Sequence, residues 1–136
     1  MHYFDTFRAF VAAYNANRYD DALALIDDRF LSGSDCDYAT RRAWYMTDRD
    51  SVAYWLRLRL ADHDRIDIVR FVDIVNRDAA VGAEIARTSD TIQRGYGAAV
   101  RPRVPLVVRF SLDGLRIIQL TPDWSGPALT FADCFG

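Results

Sequence analysis

Acidic and amide side chains near the end of the last predicted strand could carry acid–base chemistry. Gln119, Thr121 and Asp123 alternate in the segment QLTPDW. Alternate residues of a strand lie on one face of a sheet, so these three residues would form the polar end of an apolar pocket wall. Loss of solvent there would raise the pKa of Asp123 towards the range of a general base. An ordinary strand ending, with Asp123 in solvent beside Pro122, explains the same residues.

Two arginines fall among aliphatic residues on an earlier pair of predicted strands. If Arg77–Asp78 is a two-residue turn, Arg70 and Arg87 lie on the same face of that hairpin. The other members of this face are Ile66, Ile68, Val72, Ile74, Val81, Ala83, Ile85 and Ser89. Two guanidinium groups in such a place could clamp an anion or a carbonyl group. Alternatively, both side chains reach the rim of the sheet or pair with acids.

Aromatic residues offer a possible ligand surface. Tyr14, Trp44, Tyr45 and Trp55 could line a cavity for a flat hydrophobic molecule. Aromatic residues at such positions also simply fill hydrophobic cores, so both interpretations stay open.

Other kinds of site are not supported. His2 and His63 are the only imidazoles, so we expect no metal. The motifs GxSxG, GxGxxG and the P-loop are missing, and no cofactor is expected. With 17 basic and 19 acidic residues the net charge is -2, which gives no overall attraction to nucleic acid.

Length and composition predict one domain over residues 1–136, since the chain has 136 residues with 51% hydrophobic content. No apolar run approaches the roughly 18 to 20 residues that span a bilayer. Asp5 and Arg8 stand where a signal peptide would be apolar. We therefore expect a cytoplasmic protein that does not enter membranes. Cys36 and Cys134 are too few for a disulfide framework, and free thiols are expected.

Helical periodicity predicts a pair of helices within residues 1–31 and a third helix over 47–64. The first two are joined by a short polar turn. In the third, Thr47 followed by Asp50 resembles a capping box with aspartate in place of glutamate. All three helices have one apolar face and are therefore built for burial on a common core.

From Ile66 onward the periodicity becomes alternating, which predicts two β-hairpins within residues 66–124. Ala79 to about Gln93 is the returning strand of the first hairpin. The second turns at Asp113–Gly114, a strong hairpin signal, and its register would put Gln119 and Thr121 on one face with Val104, Leu106, Val108 and Phe110. Residues 32–45 form a polar connection with one short strand at most. We expect the tail, 125–136, to pack on the remainder.

This order of elements, with FVAAYNANRYDDALALIDD at the front and DGLRIIQL near the end, resembles the nuclear transport factor 2-like superfamily. The resemblance implies an α+β fold in which three N-terminal helices pack in the concavity of a strongly curved, mainly antiparallel sheet, forming a cone. Members of the superfamily include ketosteroid isomerase, polyketide cyclases, limonene epoxide hydrolase, scytalone dehydratase and noncatalytic association domains.

The same resemblance bears on individual residues. The superfamily often keeps an acid or base where Asp35 and Asp37 lie, although SGSDCD is equally an ordinary polar loop. Ketosteroid isomerases have an oxyanion-donating tyrosine where this chain has Phe10, which disfavours steroid isomerisation. Epoxide hydrolases space an arginine and an aspartate one residue apart, whereas Arg87 and Asp90 are three apart.

Two functional hypotheses follow. The first is a cofactor-independent acid–base enzyme of the cyclase, isomerase or dehydratase type, acting on a hydrophobic carbonyl compound. Asp123 or Asp35 would remove a proton, and Arg87, Gln119 or Tyr14 would stabilise the oxyanion. The second is a noncatalytic ligand-binding or dimeric assembly domain. A cavity of roughly 300 Å³ with a buried carboxylate would favour the enzyme, and a cone filled by its own aromatic residues would favour the second hypothesis.

A homodimer is expected under either hypothesis, because the outer sheet face is predicted to carry more apolar surface than a solvated face requires. The residues assigned to this face are Val69, Phe71, Val75, Val107, Arg109, Arg116, Ile118 and Leu120.

Overall fold

The computed structural model describes residues 2–72 and 79–122. Helices and strands follow one another in the α+β arrangement expected from the sequence. The helices are α1 His2–Asn15, α2 Tyr19–Ala24, α3 Arg49–Ala61 and α4 Asp90–Tyr96. The strands are β1 Ser32–Asp37, β2 Arg42–Met46, β3 Arg65–Val72, β4 Ala80–Thr88, β5 Arg103–Phe110 and β6 Ile117–Pro122.

The six strands form one sheet in the order β2-β1-β6-β5-β4-β3. Neighbouring strands are antiparallel except β1 and β6, which are parallel. α1, α2 and α3 cover the concave face, where their apolar stripes join the aliphatic residues of β4, β5 and β6 in one core. Phe7, Phe10 and Tyr14 of α1 are 0–1% exposed, which confirms the predicted buried face of the first helix.

Helix α3 begins one residue later than the capping pattern suggested. Asp48 is the N-cap, and its carboxylate accepts a hydrogen bond from the Ser51 amide at 2.8 Å. The Ser51 hydroxyl accepts one from the Asp48 amide at 3.1 Å. The capping box is therefore formed by Asp48 and Ser51, and the predicted pair Thr47 and Asp50 is wrong. The Ser51 hydroxyl accepts the bond from the N-cap amide that a glutamate side chain usually accepts in this motif.

Two elements were not foreseen. The polar connection forms a complete hairpin, β1 and β2, because β1 gains a second partner in β6 that short-range patterns do not reveal. The strand predicted to reach Gln93 ends at Thr88. Ser89 then caps α4, and its hydroxyl accepts a hydrogen bond from the Ile92 amide at 3.1 Å. The residues after Thr88 therefore begin a helix and do not continue the predicted strand.

A bulge in β3 changes which side chains face the core. Val69 is the extra residue, because Ile68 pairs with Ile85 and Arg70 already pairs with Glu84. Ile66 and Ile68 face inward as predicted, but Arg70 lies on the outer face. The Arg70 Nε is 2.7 Å from a carboxylate oxygen of Glu84. The predicted turn at Arg77–Asp78 and the residue Ile74 lie outside the described residues.

A second bulge, in β6, also changes which side chains face the core. Gln119 pairs with Arg109 while Ile117 pairs with Phe110, which leaves Ile118 as the extra residue. Leu120 pairs with Val108 and faces the core. Gln119 and Thr121 therefore lie on the outer face. The register predicted from the Asp113–Gly114 turn holds for the pair Phe110–Ile117 and is wrong by one residue from Gln119 onward. A bulge has this effect because side chains alternate between the two faces.

The outer sheet face also differs from the predicted dimer surface. Leu120 faces the core, and Phe71 packs inward against Phe4 and Phe7. Val107 is on the outer face but only 2% exposed. Val75 lies outside the described residues.

Cys36 on β1 is disulfide-bonded, so the expectation of a free thiol is wrong at this position. Disulfides are typical of oxidising compartments, and the cytoplasmic location expected from the sequence stays a prediction. None of the helices in the two described ranges has the length and apolar character required to cross a lipid bilayer.

Gly33 pairs with Leu120 where β1 meets β6. A Cβ at this position would lie 3.0 Å from the Leu120 carbonyl oxygen and 3.0 Å from the Phe30 ring. A backbone oxygen in a paired strand cannot move away as a flexible side chain can. We predict that Gly33→Ala lowers the free energy of unfolding by about 1–3 kcal/mol through overpacking, measured by urea denaturation.

Gly95 provides the matched control, because it lies within α4 with no atom within 4 Å of its Cβ position. Gly95→Ala should be neutral or stabilise by up to about 1 kcal/mol. Equal effects of the two substitutions would contradict the packing of β1 on β6.

Candidate functional site

Four charged side chains meet beneath the helices and form what we call the buried quartet. Its members are Asp35 on β1, Arg59 on α3, Asp64 at the start of β3 and Arg87 on β4. Each is only 4–7% exposed. Since buried charges are strongly disfavoured unless they are paired, the geometry of the quartet decides what this site can do.

Local structure brings Asp64 to Arg59. Helix α3 ends with His63 in the left-handed conformation, at φ 53°. The Asp64 amide then donates to the Arg59 carbonyl at 3.0 Å, and the His63 amide donates to the Leu60 carbonyl at 3.1 Å. These two bonds form a Schellman motif, which reverses the chain and directs Asp64 into the core.

The side chain of Asn15 holds the end of α1 beside the start of β3. Its amide nitrogen donates to the Ile66 carbonyl at 2.7 Å, and its oxygen accepts from the Ile66 amide at 2.8 Å. The preceding residue, Tyr14, is thereby placed next to Asp64, to which its hydroxyl donates at 2.8 Å.

Arg87 is the centre of the quartet. Its Nη1 donates to Asp35 Oδ1 at 2.8 Å, and its Nε donates to Asp64 Oδ1 at 3.0 Å. Its Nη2 lies 2.9 Å from Asp64 Oδ1 and 3.3 Å from Asp35 Oδ2. One guanidinium therefore joins two carboxylates that come from opposite parts of the sheet.

Both carboxylate oxygens of Asp35 accept hydrogen bonds. Besides Arg87, the carboxylate accepts from the Trp55 indole nitrogen at 2.9 Å and the Cys36 amide at 2.8 Å, and it lies 3.1 Å from Arg59 Nε. Burial alone would raise the pKa of Asp35, but the charges of Arg87 and Arg59 and the hydrogen bonds outweigh it. The pKa is held well below its usual range, so Asp35 stays ionised and is a weak base.

Asp64 has the opposite character. Its Oδ2 is buried and has no hydrogen-bond partner among the described residues. Burial raises the pKa of Asp64, the neighbouring charge of Asp35 adds to this, and Arg87 opposes it only in part. Burial and the nearby Asp64 also raise the pKa of the Tyr14 hydroxyl. The quartet thus contains one firmly ionised carboxylate and one that protonates more readily.

An apolar cavity of about 30 Å³ lies against the quartet. Asp35, Arg87, Ser34 and Trp55 form its polar end. Its apolar wall includes Phe7, Phe10, Met46, Ile85, Leu106 and Leu120. Since about 10–15 Å³ suffices for one water, this cavity has room for very small molecules only.

The structure brings together some of the predicted site residues. Asp35, Arg87 and Trp55 line the cavity, and Tyr14 lies behind Arg87 in contact with Asp64. Trp44 instead supports the quartet, since the Arg59 guanidinium lies 5.3 Å from its ring centroid.

Other predicted residues lie elsewhere. Arg70, Gln119 and Thr121 are on the outer face, away from the cavity, because of the two bulges. Asp123 lies outside the described residues.

Two members of the quartet, Arg59 and Asp64, were missed. Arg59 follows Trp55 by four residues and Leu56 by three, so the helical pattern itself placed it on the buried face. Asp64 stands in the polar run ADHDR, where nothing distinguishes it from exposed acids.

Asparagine substitutions should distinguish the contributions of Asp35 and Asp64 to stability. Asp35→Asn breaks a buried ion pair and should lower the free energy of unfolding at neutral pH by about 3–5 kcal/mol. Asp64→Asn should lower the free energy of unfolding at neutral pH by a smaller amount, because it removes a charge that burial already disfavours. Both effects are measured by urea denaturation.

The pH dependence of the two losses should run in opposite directions. The pKa of Asp35 is lowered on folding, so its contribution is present above the ordinary value of 3.8 and is lost as the pH falls. The pKa of Asp64 is raised from 3.8, so its contribution is present at low pH and is lost as the pH rises. The same pH slope in both variants would refute this assignment.

No family model matches the sequence, and neither does any curated protein. A cystatin-fold protein from Novosphingobium aromaticivorans is similar in structure, with a TM-score of 0.66 and 17% identity, over 90% of this chain and 98% of that one.

Two proteins with recorded ligands or activities are similar too. For Delta 5-3-ketosteroid isomerase from Mycobacterium sp. the TM-score is 0.67 at 12% identity, covering 90% of this chain and 92% of that one. For a computationally designed 17-OHP binder it is 0.65 at 11% identity, covering 90% of each chain. Identities this low establish the fold alone. The chain has the cystatin-like, NTF2-like fold of these structures, which is the fold that the sequence resemblance implied.

Proposed function

We propose that this protein is a noncatalytic domain that binds a compact apolar molecule inside the cone. The observation that carries this proposal is the state of Asp35. It is the carboxylate that faces the apolar cavity, and both of its oxygens are occupied by arginine, indole and amide donors.

Acid–base catalysis needs a group with a free lone pair and a pKa near the working pH. Asp35 meets neither condition, since its oxygens are engaged and its pKa is held far below the usual range. The Tyr14 hydroxyl donates to Asp64 and is not directed at the cavity. Within residues 2–72 and 79–122, the polar end of the cavity therefore supports recognition rather than proton transfer.

The size of the cavity restricts the molecule that it can enclose. At about 30 Å³ it is far below the roughly 300 Å³ or more of a site that encloses a substrate or a larger ligand. Phe7, Phe10 and Trp55 are among the side chains that line it. A ligand larger than a few atoms must displace a side chain, and Met46 is the most adaptable member of the wall because it is unbranched and has three rotatable side-chain bonds beyond its Cα.

The structural comparisons are consistent with a ligand inside the cone. Two of the similar structures are a Delta 5-3-ketosteroid isomerase and a computationally designed binder of 17-OHP. For this chain we propose only that a small apolar molecule is enclosed between the helices and the sheet.

Enlarging the cavity tests the proposal directly. Met46→Ala should raise affinity for small neutral aromatics, from benzene to naphthalene, by roughly tenfold or more, because truncated core residues leave dry apolar cavities that accept such molecules. Calorimetric titration measures the affinity, and Trp55 fluorescence provides a second signal because Trp55 lines the cavity.

Met46→Leu is the matched control, since Met46 lines the cavity and leucine keeps the side-chain volume nearly unchanged. It should leave the affinity at the cavity unchanged, and Ile85→Phe should abolish binding by filling the space. Absence of binding in both the wild type and Met46→Ala would favour the assembly domain instead. Turnover of a carbonyl substrate that is lost in Asp123→Asn would restore the acid–base hypothesis.

A further inference from the structure

The two edge strands of the described sheet are protected to different degrees. On β3 the bulge at Val69 interrupts regular pairing. Charged side chains also guard this edge, with Arg65 3.3 Å from Asp67 and Arg70 2.7 Å from Glu84. Bulges and charges of this kind prevent one sheet from joining another along its edge.

Among the described residues, β2 has neither a bulge nor an ion pair along its edge, and Arg42 at its beginning is its one charged residue. β2 pairs with β1 in a regular register over five residues, and its other edge has no partner among the described strands. Tyr45 on this strand is 67% exposed, and Tyr54 on the adjacent helix is 58% exposed. Trp44 lies beside Tyr54, with ring centroids 6.2 Å apart. An open strand edge flanked by exposed aromatic residues is a typical surface for adding another strand.

The charges along β2 are arranged so that a second copy fits best. Arg42 stands at the beginning of the strand, and Asp48 and Asp50 follow its end. In an antiparallel pair the beginning of each strand meets the end of the other. If Tyr45 lies opposite its own copy, Arg42 of each chain lies opposite Asp48 of the other, and a two-fold axis makes this contact twice.

We propose that two copies of this chain join edge to edge along β2, antiparallel and centred on Tyr45, so that their sheets become continuous. The new contacts are backbone hydrogen bonds, a Tyr45 pair on the axis, and two Arg42–Asp48 pairs. This surface replaces the outer sheet face, where Val107 is buried and Leu120 faces the core. It is independent of ligand binding inside the cone.

Sedimentation equilibrium at micromolar concentration tests the assembly. The wild type should have twice the chain mass of 15.5 kDa. Arg42→Asp and Tyr45→Lys should each raise the dimer dissociation constant by roughly tenfold or more, since like charges opposite one another on paired strands are destabilising. Arg109→Asp, at an equally exposed arginine on the outer face, is the matched control and should leave the constant within about twofold.

A charge exchange gives the most specific result. Arg42→Asp and Asp48→Arg should each weaken self-association, because each homodimer then opposes like charges. Mixed together, they should form a heterodimer, since both contacts regain opposite charges. Circular dichroism of each variant checks folding, particularly for Asp48→Arg, which loses the α3 cap.

A monomeric wild type would overturn the proposal. So would a dimer that responds to Arg109→Asp but not to Arg42→Asp and Tyr45→Lys, or a charge-exchanged mixture that stays monomeric.

Discussion

The pairing of one guanidinium, that of Arg87, with two buried carboxylates is the interaction on which this structure depends. It connects β1 to the start of β3 through β4, and the Tyr14 hydroxyl adds α1. Burying a single charge is very unfavourable, so each partner is tolerated only while the others are present. Arg59 and Trp55 bring α3 into the same network. Two helices, α1 and α3, and two ends of the sheet are thereby held in one arrangement.

The same pairing limits the chemistry at the cavity. Donors that make Asp35 stable in the interior also occupy its oxygens and favour its charged form. A carboxylate in this state can orient a polar group of a ligand but is poorly suited to remove a proton. The lone pairs of Asp35 that would accept a substrate proton are the ones that accept the stabilising hydrogen bonds. In the quartet these lone pairs are used for stability. Under the proposed function, the apolar wall would favour molecules with little polar surface.

Much of the fold follows from local patterns. Helical periodicity located α1, α2 and α3, and alternation with an Asp-Gly turn located the β3–β4 and β5–β6 hairpins, because each depends on neighbouring residues. The β1–β2 hairpin and the two bulges did not follow. β1 is polar and becomes a strand through its pairing with the distant β6, and a bulge arises from twist and packing across several strands.

The sequence by itself determined the superfamily resemblance, the helical layer, and the presence of Arg87, Asp35 and Trp55 among the candidate residues. Only the tertiary structure decided that Arg59 and Asp64 join them, and that Arg70, Gln119 and Thr121 do not. The physical reason is that a side chain's partners come from distant parts of the chain. A one-residue bulge, or one left-handed residue such as His63, redirects side chains without changing the pattern that a sequence displays.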